Sequence, residues 1–185
     1  MKTNKNSIVF FSFFFFLSSI FLSPLFAQSD SDYVVKYFVD DFGDPTDHKY
    51  LFTVVTGKFS NSATKDSKLA VGVIIADSEI SFILYEYGSN RVTGSEYDTY
   101  ILKMKFPDGY VFEKSTKIDK YSSRLILSKL FDSSIDFDTM FSGSAPMKIY
   151  IYEKDRPYTN YSFSVTFPSK DYIKSNLGDI FWIQY

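Results

Sequence analysis

The densest collection of reactive side chains is the stretch DDFGDPTDHKYLF, from Asp40 to Phe52. There Asp40, Asp41, Asp44 and Asp47 supply four carboxylates, and His48 is the only imidazole in 185 residues. Hard oxygen ligands held close together are what a calcium ion takes, although the spacing matches no EF-hand loop. A run rich in Asp, Gly and Pro is also what a tight turn needs. The triplet Asp41-Phe42-Gly43 would do kinase chemistry only beside a Gly-rich phosphate loop, a strand lysine and a catalytic-loop Asp and Asn, which this chain does not supply. One histidine without any cysteine cannot build the common zinc sites. The stretch is therefore expected to be an acidic turn leading into the strand KYLFTVVTG, with His48 at the surface and the four aspartates as a calcium alternative.

Hydroxyls cluster next, in GKFSNSATKDSKLAVGV, where Ser60, Ser62, Thr64 and Ser67 surround Asn61. A nucleophilic serine needs a base and usually a G-x-S-x-G elbow, and neither this stretch nor SGSAP at Ser142 to Pro146 has one. Side chains capping free backbone groups in a turn account for them. Glycoside hydrolysis would require two carboxylates about 5–10 Å apart across a cleft. Glu79, Glu86, Glu96, Asp98, Glu113 and Asp119 offer many such pairs, and sequence alone does not choose among them. With no metal cluster, phosphate loop or cofactor fingerprint, no cofactor is expected and catalysis is the minority reading.

Binding is the leading reading, and it rests on tyrosine spacing. Tyr85 and Tyr87, Tyr97 and Tyr100, Tyr150 and Tyr152, and Tyr158 and Tyr161 are paired two or three residues apart. Within a strand, a spacing of two places both rings on one face. If Ile149 and Ile151 point inward, Tyr150 and Tyr152 point outward as an aromatic strip able to stack on sugar rings or seat a partner protein. Tyr85 and Tyr87 are the second candidate pair. If both faces of these strands are covered, the rings are ordinary core.

Such rings need strands to carry them, and the apolar residues recur at a spacing of two. Leu69, Val71, Val73 and Ile75 fall on one face, with the small Ala70 and Gly72 on the other; Ile80, Phe82 and Leu84 likewise share a face; Leu102, Met104 and Phe106 alternate with lysines; Tyr161, Phe163, Val165 and Phe167 alternate with hydroxyls. This is the pattern of half-buried antiparallel strands. Turn signals follow at ADSE (76–79), FPDGY (106–110) and EKDRPY (153–158). Two short helices break the pattern: one over Ser169 to Leu177, with Ser169 as cap and Gly178 as stop, and one around Ile135 to Phe141. The expected fold is all-β, an antiparallel sandwich or partly open barrel with one or two short helices.

The start of the chain bears on compartment. Lys2 and Lys5 precede the run IVFFSFFFFLSSIFL, which Pro24 breaks ahead of Ala27 and Ser29. These are the zones of a secretory signal. Residues 1–29 are expected to be removed, by cleavage after Ala27 or Ser29, leaving one β-rich domain over 30–185, exported to periplasm or exterior. Uncleaved, the segment would be the chain's only tie to a membrane. Residues 30–185 carry 18 basic and 22 acidic residues, a formal charge of −4. With the basic residues scattered along the sequence, nucleic acid is not the expected partner. Zero cysteines in an exported chain leave stability to packing, for which 13 Phe, 15 Tyr and Trp182 in this region are the material. A third class is a small outer-membrane barrel, suggested by the alternating terminus IFWIQY. The helix ahead of it leaves about six residues, short of the roughly nine to eleven that a membrane strand needs.

Three of these stretches together, VDDFGDPTDHKYLF, GKFSNSATKDSKL and ILYEYG, resemble a set shared by uncharacterised exported bacterial proteins. The resemblance rests on Asp40 to Asp44, Phe59 to Thr64 and Leu84 to Gly88. It implies export and a β-rich fold and carries no known activity. The expected partner is a protein or glycan of the cell envelope.

Overall fold

The computed structural model describes residues 32–76, 79–127 and 137–178. The expected leader, the middle of the ADSE turn (77–78), the start of the first expected helix (135–136) and the terminal IFWIQY lie outside them.

Among the described residues, ten strands and two helices follow in chain order: β1 (Val34–Val39), β2 (Pro45–Ser60), β3 (Ser67–Ala76), β4 (Ile80–Glu86), β5 (Asn90–Arg91), β6 (Tyr100–Lys105), β7 (Val111–Thr116), β8 (Leu125–Ile126), α1 (Phe137–Met140), β9 (Met147–Glu153), β10 (Asn160–Val165) and α2 (Lys170–Leu177). The fold is all-β, and every strand pairing is antiparallel. Of the two arrangements expected, the structure takes the partly open one. A single unclosed sheet runs β5-β4-β3-β2-β10-β9-β6-β7, with β1 added to β2 and β8 to β4.

The hub is β2, whose 16 residues exceed the expected KYLFTVVTG because the strand already begins at Pro45 and runs on to Ser60. One edge pairs with β3 from Tyr50 to Phe59. The other pairs first with β1, up to Phe52, and then with β10, from Gly57. Gly57 stands opposite Phe163, where an added Cβ would overlap the Ser162 carbonyl oxygen and lie 2.7 Å from the Phe163 Cβ. Only a residue without a side chain lets β2 and β10 approach this closely.

Alternation drives the curl. Leu69, Val71, Val73, Ile80, Phe82, Leu84, Leu102, Met104, Ile149, Ile151, Tyr161 and Phe163 belong to one buried cluster on the concave face. In a flat sheet, three strand spacings of ~4.8 Å would hold β4 and β10 about 14 Å apart. Instead the rings of Phe82 and Phe163 meet edge to face at 5.1 Å, and the Tyr161 hydroxyl donates to the Glu86 carboxylate at 3.1 Å. Apolar side chains seek each other out of water, and a sheet with one greasy face can satisfy that only by bending over itself or docking another layer.

Two short helices complete the described chain. Ser169 caps α2 by accepting the Tyr172 N–H, Gly178 ends it at φ 83°, and Ile173 is buried beneath it, as the sequence leads one to expect. The Tyr172 hydroxyl donates to the Tyr33 carbonyl, fastening the start of β1. The first helix, α1, is a single turn among the described residues and ends at Met140, one residue before the expected Phe141.

Candidate binding face

Tyr150 and Tyr152 lie on the convex face of β9. Ile149 and Ile151 point inward at 2 % and 0 % exposure, so the residues between them must point out, and Tyr150 is 39 % exposed. The two rings are 5.7 Å apart, tilted by 36°, and form a short strip along the strand. Strand register extends this face sideways. Lys58 of β2, Ser162 of β10, Tyr150 of β9, Lys103 of β6 and Glu113 of β7 fall in one row across five strands. The next row holds Ser164, Lys148, Lys105 and Val111. Together these rows frame a groove of about 580 Å³, within the ~300–1,000 Å³ usual for ligand sites.

Four lysines therefore surround Tyr150. Scatter along the sequence is not scatter in space: positions 58, 103, 105 and 148 come from three strands, and antiparallel pairing gathers them. Lys103 is engaged, ion-paired with Glu113 at 3.0 Å and 5.7 Å from the Tyr152 ring centre, and the Glu113 hydrogen bond holds its pKa above the usual lysine value. Among the described residues, no carboxylate is ion-paired with Lys58, Lys105 or Lys148. Lys105 and Lys148 are direct cross-strand partners, an arrangement that destabilises a sheet when the charges are alike.

No family model, curated protein or solved structure matches the chain.

The remaining sequence candidates fall elsewhere. Tyr85 faces out from β4, across three intervening strands from β9, so the structure does not bring it to Tyr150 and Tyr152. Tyr87 leaves the strand at φ 54° and lays its ring edge-on to Phe59 at 4.9 Å, which separates it from Tyr85. The other two pairs are split by burial: Tyr100 and Tyr161 are core, Tyr97 and Tyr158 exposed.

In the acidic stretch, Asp40 acts as a turn former. Its carboxylate accepts the N–H groups of Phe42 and Asp44, each at 2.9 Å, and Gly43 takes φ 87°. Asp47 and His48 lie beyond the turn, within β2. No group of three or more His, Cys, Asp or Glu side chains placed to hold a metal ion occurs among the described residues. The hydroxyl cluster forms the β2–β3 turn: Asn61 accepts from Ala63 and Thr64, and Ser60 accepts from Asp66.

Each of the six carboxylates considered for hydrolysis has a structural partner. Glu79 binds Arg124, Glu86 accepts from Tyr161, Glu96 pairs with Lys120, Asp98 with Arg156 and Glu113 with Lys103, while Asp119 accepts from its own loop. Among the described residues the buried carboxylate is a seventh, Glu153, 4 % exposed and 2.5 Å from the Arg156 Nε. With Glu86 and Asp98 it borders two buried phenols. Burial, followed by Asp98 and Glu153, pushes the Tyr100 hydroxyl up to about 12; burial and Glu86 push Tyr161 up further.

A larger depression of about 660 Å³ lies where the edge of β2 passes from β1 to β10. Its walls mix Val34, Phe52, Val54, Val55 and Pro146 with the hydroxyls of Thr53, Thr56, Ser164 and Thr166, and Asp32 is its one charged residue. The smaller groove, with its aromatic wall and unpaired cations, holds more groups able to recognise a ligand.

Proposed function

We propose that the protein is an exported, non-catalytic binding module of the bacterial cell envelope that seats its ligand on the convex face of β10, β9 and β6. The observation that carries this reading is the outward pair Tyr150 and Tyr152 above inward Ile149 and Ile151. Planar amphipathic rings on a rigid strand present large contact area at little entropic cost. The engagement of the carboxylates in ion pairs and turns supports a binder over a hydrolase. The distribution of side chains, apolar on the concave face and Lys, Ser and Tyr on the convex one, is the reverse of a barrel in lipid. The basic start, long apolar run and small-residue exit support export to periplasm or exterior.

Affinity electrophoresis of the full chain through gels containing envelope polysaccharides tests the reading. The Tyr150→Ser/Tyr152→Ser variant, with its unfolding transition intact, should lose the retardation that the unaltered protein shows. Equal retardation of both proteins would remove the aromatic strip from consideration.

A further inference from the structure

We infer that the ligand of this face is an acidic polysaccharide, a chain of sugars bearing carboxylates. The inference rests on the binding-face reading and deepens it. Along the convex side of β9, Lys148, Tyr150 and Tyr152 stand in line at intervals of two residues, which is about 6.7 Å per step. Beside Lys148 stands Lys105, in register and without a carboxylate partner among the described residues, and Lys58 closes the far side of the groove across Ser162. Two lysines in register on one face, neither ion-paired among the described residues, repel, and an anion between them converts that repulsion into attraction.

The rest of the groove fits sugar. A pyranose presents an apolar face, which a tyrosine ring covers, and a rim of hydroxyls, which Thr56, Ser162 and Ser164 can meet as donor or acceptor. A neutral glycan would leave the lysines unused. A nucleic acid would ask for a longer cationic track and a positively charged domain, whereas residues 30–185 carry −4 and Glu113 sits in the same row as Tyr150. An acidic glycan uses rings, hydroxyls and cations together.

Dissociation constants of the full chain would be measured for polygalacturonate, for neutral galactan and for a single-stranded oligonucleotide, with three variants beside the unaltered protein. Polygalacturonate should bind at least about tenfold more tightly than galactan, and Lys105→Ser/Lys148→Ser should lower its affinity about tenfold while galactan is unaffected. Lys105→Arg/Lys148→Arg should keep it, and Tyr150→Ser/Tyr152→Ser should weaken both sugars. If galactan binds as tightly, the serine-for-lysine change does nothing and the tyrosine variant still loses both, the acidic assignment falls while the aromatic face stands. If the tyrosine variant keeps full affinity for both sugars, the face itself falls. An oligonucleotide bound as tightly as polygalacturonate, or no binding to either sugar, overturns the inference.

Discussion

Lys105 and Lys148 stand directly opposite each other on β6 and β9, on the same convex face, and neither is ion-paired with a carboxylate among the described residues. The pairing opposes folding. Replacing one partner, as in Lys105→Thr, removes the repulsion and supplies a β-branched residue. The variant should be more stable by about 0.5 kcal/mol in urea unfolding at low salt. Because the Debye length shrinks to ~8 Å at physiological ionic strength, the gain should diminish as sodium chloride is added. A loss of stability would show that the lysines are not in repulsive contact.

Alkali should destabilise the fold through its buried phenols. Tyr100 holds its proton up to about pH 12, while an unfolded tyrosine gives it up near 10. Between those values the folded state binds more protons than the unfolded one, so stability declines as pH rises through the window and is unaffected by this group below it. Tyr161 adds to the same slope, for the same reason. Urea midpoints from pH 9 to 12 should therefore drop more steeply for the unaltered protein than for Tyr100→Phe.

Gly57→Ala should be costly although alanine is a small change. The new Cβ would overlap the Ser162 carbonyl and press on Phe163, which is backbone and core with little room to yield. Overpacking of this kind typically costs ~1–3 kcal/mol. Since β10 also carries Ser162 and Ser164 of the groove, ligand affinity should decline with stability. Parallel urea and binding titrations would check both.

Much of the scaffold was legible because alternation and burial have one cause. Tyr161 to Val165 read as a strand from period alone, and Ser169 and Gly178 marked the bounds of α2 through backbone hydrogen bonding that their side chains, or lack of one, dictate. The outward direction of Tyr150 and Tyr152 followed from the inward isoleucines. What the sequence hid was register. Positions 58, 105 and 148 are far apart in the chain, and nothing local says that β6 pairs with β9 so that two lysines coincide. Glu153 looked like another turn carboxylate, and its burial depends on where the curled sheet places Tyr100 and Tyr161. β1 went unread because its residues are largely exposed on both faces and carry no alternation.

The curl itself can be tested by coupling across strands that are not neighbours. Phe82 on β4 and Phe163 on β10 are separated by β3 and β2, yet their rings meet at 5.1 Å. Phe82 is fully buried, so Phe82→Ala should cost ~3–5 kcal/mol by lost transfer and residual cavity, an effect that a flat sheet packed on some other layer would also show. The double-mutant cycle with Phe163→Ala separates the two arrangements, because it isolates the energy the rings share. Aromatic pairs in edge-to-face contact typically contribute ~0.5–1.5 kcal/mol beyond burial. Urea unfolding of the two single variants and the double should yield a coupling in that range, or Phe82→Leu/Phe163→Leu should yield it if the alanine variants do not fold. Additive costs would mean that the rings do not meet and that the sheet does not bend over itself.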